Sequence, residues 1–398
     1  MKLYLQIIIA LVAGALTGIL LPGATPYISW IGTLFMNALS LLMAPIIFFS
    51  IINSIADIRD SAGSLKRLTA KTCLLYLLSM AIAAVTGLLL VNLIRPGAGV
   101  PVAQVAMPDN ISGKSFEEII TGFIPTNIIT AFAQNNTVPV ILIAFVGGLA
   151  FLKISGESGR TLRQFFKGGG EITMLITGAV IKASPFGVFA IVARQFSTVG
   201  DFMGLLQMMA LYMLTVIAGL LIQMFVWLPL LLRFFRVKAW RHFRNMSEPL
   251  LLAFSTASSN VTLPVTMQAV QRRSGVSARV SNLTLPLGAS VNMDGTALLE
   301  CVAVMFIAQA YSVALTPVQQ LAVVAMSLLS AVGAAGIPMA ALVMMAVILN
   351  MVGLPLEGIG LIIGVDRLLD MLRTALNVYG DTCVAVMVAK SEGETLAV

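Results

Sequence analysis

Ten apolar stretches follow one another along this chain, and they dictate what it can fold into. They lie near 3–22, 28–55, 70–94, 119–152, 171–199, 203–232, 249–271, 280–310, 318–350 and 359–389. A helix needs about 20 apolar residues to cross the hydrocarbon of a bilayer. The chain therefore reads as an all-α protein that crosses a lipid bilayer many times. Composition supports this. Of 398 residues, 59% are hydrophobic and 10% charged, with a mean hydropathy of +0.98. A soluble domain carries about 25% charged residues. A water-soluble globular protein and a disordered chain are excluded. The net charge of +7 does not imply a nucleic-acid partner, because the basic residues fall in short runs between apolar stretches.

The first stretch, Leu3 to Leu21 after Lys2, has the look of a signal peptide. No small-x-small cleavage pattern follows closely, so it is taken as the first span. Cys73, Cys301 and Cys383 are widely spaced and suggest neither a metal site nor a redox pair. The only histidine, His242, sits between Arg241 and Arg244 in what reads as a basic loop. A histidine metal cluster and a Ser-His nucleophile are thereby excluded, and an intramembrane enzyme with them.

Basic residues set the topology, since cytoplasmic loops concentrate Lys and Arg. Lys2; Arg59, Lys66, Arg67 and Lys71; Lys153, Arg160, Arg163 and Lys167; and Arg233 to Arg244 alternate correctly for six crossings from a cytoplasmic N-terminus. Segment seven breaks the alternation, because Arg272, Arg273 and Arg279 follow it directly. A re-entrant hairpin restores the rule, and its polar middle, Ser255 to Pro264, suits one, with Pro264 as the breaker. Segment nine is too long for one untilted span and carries Gly333-Ala-Ala-Gly-Ile-Pro338 at its centre. Two Pro-kinked spans are the alternative. With both hairpins, all but six of the 24 Lys and Arg face the cytoplasm, and both termini lie there. The exceptions are Arg95, Lys114, Lys182, Arg194, Arg367 and Arg373. Paired broken segments are the best sequence pointer to a transporter binding site.

Ionisable residues within spans default to function. Asp294, Glu300, Asp366, Asp370 and Asp381 all fall in the last two non-hairpin segments. Helical spacing gathers Asp366, Asp370, Arg373, Thr374, Asn377 and Asp381 on one face of the final segment. Asp370 and Arg373 could form an internal ion pair. That leaves Asn377 and Asp381 unexplained. An Arg fork suits a substrate carboxylate, Asp370 an ammonium, and Asn377 with Asp381 a small cation. In Asn292-Met-Asp-Gly-Thr296, Gly295 marks a place where a helix unwinds and offers carbonyls to a cation, with Asp294 beside it. Glu300 is a candidate proton carrier, because apolar surroundings disfavour the charged carboxylate. A permanently protonated, hydrogen-bonded Glu is the alternative.

These motifs resemble the glutamate-transporter family, the dicarboxylate/amino acid:cation symporters. The resemblance rests on Thr256 to Pro264, Asn292 to Thr296, Gly333 to Pro338 and Asp370 to Asp381, with Pro125-Thr-Asn-Ile and Pro96-Gly-Ala-Gly99 in support. It covers nearly the whole chain. It implies eight transmembrane helices, two re-entrant hairpins and a homotrimer working as an elevator in a prokaryotic inner membrane. Residues 1–70 (helices 1 and 2), 116–170 (helix 4) and 171–202 (helix 5) then form a scaffold. Residues 71–115 (helix 3 and outer loop) and 203–244 (helix 6) join the transport part with 245–276 (hairpin 1), 277–312 (helix 7), 313–353 (hairpin 2) and 354–398 (helix 8 and tail).

By the same resemblance, Arg373 takes the substrate's side-chain carboxylate, Asp370 its amino group and Asn377 its main-chain carboxylate. Thr296, Thr374, Ser258, Ser259 and Ile337 complete the substrate contacts. Asp381 and Asn377 hold one sodium; Asp294, Asn292, Tyr76 and Ser79 hold another; Met293 lies between the cation sites. Met80 stands where sodium-coupled members carry a serine ligand, and Ala334 where some prokaryotic members carry threonine. Arg367 is placed to supply the charge of a hairpin arginine, whose position Ala257 fills here. Glu300 is as in proton-cotransporting members. The expected function is symport of L-glutamate and L-aspartate with protons, sodium or both, protons weighing at least as much. A C4-dicarboxylate carrier is the alternative within the family. An ion channel is the alternative from another class, but its pore should show a ring of like charges or carbonyls.

Overall fold

The computed structural model describes residues 3–62, 66–98, 124–133, 137–198, 202–333 and 340–398. Every regular element among them is helical. In hydrocarbon a helix satisfies its own backbone polar groups within the segment. Among the described residues, Arg67–Ile94, Met203–Phe234 and Ala278–Ala310 are long and apolar enough to cross a membrane. Two bent pairs, Ile9–Leu20 with Pro22–Ala38 and Gly156–Val180 with Ser184–Arg194, raise the number to five if each is one span.

One group of helices is α1 (Leu3–Leu20), α2 (Thr25–Ala62), α5 (Thr137–Phe151), α6 (Gly156–Lys182) and α7 (Ser184–Thr198). The α3 helix (Lys66–Ile94) and short α4 (Ile128–Ala133) come between these in the chain. The chain turns by 108° from α1 into α2, and α1 packs along α7. Glycine makes that contact possible. A Cβ on Gly14 would lie 2.6 Å from the Phe189 carbonyl oxygen, and one on Gly18 2.4 Å from that of Ala193. Small residues let helix backbones approach closely in membranes.

The α6 helix starts well before residue 171. Arg160, Arg163 and Lys167, expected in a loop, lie on its first turns. Packing against α2 explains this. Phe166 meets Phe48, Phe49 and Phe151, while Gly169 leaves room for the Phe49 ring.

The second group is built around α14 (Asp294–Ala310), in which every residue except Gln309 is buried. It packs against α3, α8 (Phe202–Ile222), α15 (Pro317–Gly333), α16 (Ala340–Met351) and α17 (Ile359–Ser391). A π-helical stretch, Gln223–Trp227, carries α8 into α9 (Leu228–Phe234), and α10 (Ala239–Asn245) follows. Segment seven becomes α11 (Ser247–Thr256) and α12 (Ser259–Ala269), packed on each other and on α17. This fits the expected hairpin, but Pro264 is not its breaker.

Pro264 lies inside α12, and the carbonyl of Asn260 that it leaves without a partner belongs to an exposed residue. The turn falls at Ala257, which adopts the left-handed conformation with φ 50°. Ser258 then caps α12, its Oγ accepting from the Val261 N–H at 3.4 Å. A second π-helical stretch, Val270–Ser274, leads to α13 (Ala278–Val291). Segment nine divides into α15 and α16. Most of its expected breaker, including Ala334 and Ile337, lies outside the described residues.

Candidate functional site

Segment eight breaks between α13 and α14, at Asn292 and Met293, rather than at Gly295. Gly295 is helical and serves close packing, since a Cβ there would lie 2.9 Å from Arg373 Cγ. The break leaves N–H groups at the start of α14 without partners in their own helix. Neighbouring helices take them up. Met293 donates to Met80 Sδ at 3.3 Å, and Gly295 donates to Asn377 Oδ1 at 2.8 Å. Met80 thus has a defined role at the break. Asn377 spends its carbonyl oxygen on the backbone of α14.

Two buried carboxylates flank the break. Asp294 Oδ2 accepts from Ser79 Oγ at 2.6 Å and from Gln223 Nε2 at 3.3 Å. Asp381 Oδ1 accepts from Asn292 Nδ2 at 2.9 Å. Tyr76 donates to the Thr284 carbonyl at 2.8 Å, and a Cβ on Gly288 would lie 2.5 Å from its hydroxyl and 2.6 Å from Asp381 Oδ1. A Cβ on Gly380 would lie 2.8 Å from Asp294 Oδ2. Tyr76, Ser79, Asn292, Asp294 and Asp381 therefore converge, with Met293 at the break between them.

Among the described residues no ion pair reaches Asp294 or Asp381. Asp294 Oδ1 and Asn292 Oδ1 are buried without a hydrogen-bond partner. Buried charge without a partner is costly, and these oxygens are the hard donors a small cation prefers. Among the described residues no group of three or more His, Cys, Asp and Glu forms a metal site.

On α17, Arg373, Thr374 and Asn377 are buried and Asp370 is partly so. The ion pair weighed as an alternative is present. One Arg373 nitrogen bonds Asp370 Oδ1, and Arg367 reaches Asp370 Oδ2 at 3.3 Å. Arg367 is thus drawn along its own helix to Asp370. The other terminal nitrogen of Arg373 is buried without a hydrogen-bond partner. Thr296 is buried on the first turn of α14. Ser258 and Ser259, half-buried at the hairpin tip, also pack onto α17 through their helix.

Glu300 is fully buried, with Oε2 bonded to the Ser330 hydroxyl and Oε1 left without a partner. It interacts electrostatically with Arg373. The Ser330 hydroxyl also reaches the Ser327 carbonyl at 3.1 Å. It has one hydrogen, so when that bond forms, Glu300 must supply the proton between itself and Ser330.

His242 overturns the basic-loop expectation. It lies fully buried on α10, with Nδ1 3.0 Å from Ser274 Oγ and Nε2 3.1 Å from Thr382 Oγ1. Burial pushes its imidazole down to about 3. Gln223 was also missed. An amide deep inside an apolar segment, with Gln207 the other in that stretch, was the available signal.

Residues 3–391 match the sodium:dicarboxylate symporter family. The chain is 31% identical over 401 residues to the proton/sodium-glutamate symport protein of Bacillus caldotenax, covering 98% of this chain and 94% of that protein. It is 33% identical over 399 residues to the proton/glutamate-aspartate symporter of Bacillus subtilis, covering 97% and 94%. The C4-dicarboxylate transport protein of the same species is 30% identical over 402 residues, covering 99% and 94%.

Proposed function

The chain belongs to the sodium:dicarboxylate symporter family, and on that premise we propose that it carries acidic amino acids, L-glutamate and L-aspartate, into the cell together with a cation. The observation that carries this reading is Arg373. It is a buried guanidinium with one nitrogen held by Asp370 and the other without a partner. A planar fork of this kind suits bidentate capture of a carboxylate. Asp370 offers the opposite charge beside it for an ammonium. The bacterial relatives named for glutamate and aspartate support the same substrate class.

Coupling falls to two groups. Asp294, Asp381, Asn292, Asn377, Tyr76 and Ser79 receive a sodium-sized cation. Glu300, with a neighbour that can donate or accept, carries a proton. Each positive charge moved inward gains about 2.3 kcal/mol per 100 mV of membrane potential. In this reading α1, α2 and α5 to α7 form a static scaffold. Helices α3 and α8 to α17 move as an elevator within a homotrimer in the inner membrane. The packing of the described helices into these two groups supports the division.

A C4-dicarboxylate is the second reading. Both Asp370 oxygens already bond arginines, which weakens its repulsion of a substrate carboxylate. Calorimetric titration of the purified protein with L-aspartate, L-glutamate and succinate tests the choice. The proposal expects tight amino acid binding that Asp370→Asn weakens more than succinate binding. Equal losses favour the dicarboxylate.

A further inference from the structure

A hydrogen-bond chain runs from the C-terminal tail, at the surface, through the buried Ser274 and His242 to Thr382, the residue beside Asp381. The Ala397 N–H donates to the Ser274 carbonyl at 3.0 Å, and the Glu394 carboxylate accepts from the Ser277 N–H at 2.9 Å. These contacts hold the polypeptide between hairpin 1 and α13. The Ser274 hydroxyl faces His242 Nδ1, and His242 Nε2 faces Thr382 Oγ1. Thr382 has a single hydrogen, which it gives to the Tyr379 carbonyl at 2.8 Å. Its oxygen therefore accepts from His242, so the imidazole carries its proton on Nε2. Nδ1 is then the acceptor for Ser274. The ring faces Tyr379 at an interplanar angle of 25°, with centroids 6.0 Å apart. Every polar atom in this relay has a partner.

The three residues come from distant parts of the chain: α10, the end of hairpin 1 and the middle of α17. Thr382 directly follows Asp381, whose carboxylate is held by Asn292. A displacement of α17 at Thr382 moves the Asp381 carboxylate with it. The relay sits where it can set that position, and its hydrogen bonds run among His242, Ser274, Thr382 and the Tyr379 carbonyl.

We propose that His242 is a positioning residue for the cation site: it clamps the end of hairpin 1 onto α17 at Thr382 and so holds Asp381 in register with Asn292. This rests on reading Asp381 as a cation ligand. Without the imidazole, the buried Ser274 and Thr382 hydroxyls lose their shared partner, and α17 is free to shift by the fraction of an ångström that ligation feels. Outer-shell partners of ligands commonly change affinity by about 10- to 100-fold when removed.

The test uses the purified full chain without substrate. Its melting temperature is followed as Na+ replaces choline at fixed neutral pH. His242→Leu and Thr382→Val should each raise the Na+ needed for half-maximal stabilisation about 10-fold. The double variant should go no further than either single, and His242→Gln, which keeps a donor toward Thr382, should recover most of the loss. If His242→Leu does not fold, Thr382→Val and Ser274→Ala carry the test. Variants that melt earlier but respond to Na+ like the wild type overturn the positioning role alone. A wild type that ignores Na+ overturns the cation reading, and this role with it.

Discussion

The contact between α1 and α7 and the contact between α14 and α17 both depend on glycine, and they use it for opposite purposes. In the first, Gly14 and Gly18 face backbone carbonyls of α7, and the surroundings are apolar. In the second, Gly295 and Gly380 face Arg373 and Asp294, while Gly288 faces Asp381 and Tyr76. A missing Cβ admits a neighbouring backbone at Gly14, Gly18 and Gly295, and polar side chains at Gly288 and Gly380. Close approach alone makes a rigid contact. Close approach around buried carboxylates makes a site with room for little else.

The largest expected effect lies in the polar contact. Arg373→Ala should cost about 2–5 kcal/mol of acidic amino acid binding, tens to thousands of fold, because one partner of a buried charged pair is lost. Wild-type affinity measured by calorimetry in that variant would remove the basis for treating the two contacts differently. Glu300→Gln comes next. Substrate exchange across liposomes should persist while accumulation driven by a proton gradient disappears. Accumulation that survives would make Glu300 a structural group bonded to Ser330.

Matched glycine substitutions sharpen the comparison. Gly18→Val should lower stability by about 1–3 kcal/mol, the usual cost of overpacking. It should leave substrate preference and cation requirement unchanged in the protein that folds. Gly380→Ala should do the reverse, raising the cation concentration needed for binding with little change in melting temperature. If both variants act alike, the division between a packing contact and a site contact fails.

Acid stability changes only below neutral pH. The His242 imidazole stands at about 3 in the fold against an ordinary 6.5. Below pH 6.5 the unfolded chain binds a proton there that the folded chain refuses. Stability therefore falls as pH drops from 6.5 toward 3, by up to about 1.4 kcal/mol per pH unit, and is unaffected above 6.5. His242→Gln should flatten this part of the melting-temperature profile. An unchanged acid slope would assign it to other groups.

Much of this was legible in the sequence, for identifiable reasons. Arg373, Thr374 and Asn377 share a face of α17 because helical spacing is local. Arg272, Arg273 and Arg279 made a single crossing of segment seven unattractive, and there the chain folds back into two helices packed on each other, α11 and α12. What escaped depends on partners far along the chain. The break falls at Asn292 and Met293 because Met80 and Asn377 supply bonds to the N–H groups beyond it, which no local preference reveals. Gly295 pointed to the right neighbourhood but serves packing against Arg373. Pro264 was a reasonable breaker, yet Ser258 provides a cap that starts a new helix ahead of it. His242, flanked by arginines, reads as solvated until Ser274 and Thr382 are seen on either side of its ring.

The central claim is cation-driven carriage of acidic amino acids, and the most direct test is uptake into liposomes holding the purified protein. Na+ and proton gradients are imposed separately, each with and without an inside-negative potential. L-glutamate and L-aspartate should accumulate above the external concentration only under an inward cation gradient. The negative interior should speed uptake, and Arg373→Ala should abolish it. Amino acid that merely equilibrates under every gradient, or an ion flux that continues without substrate and survives Arg373→Ala, would contradict the account.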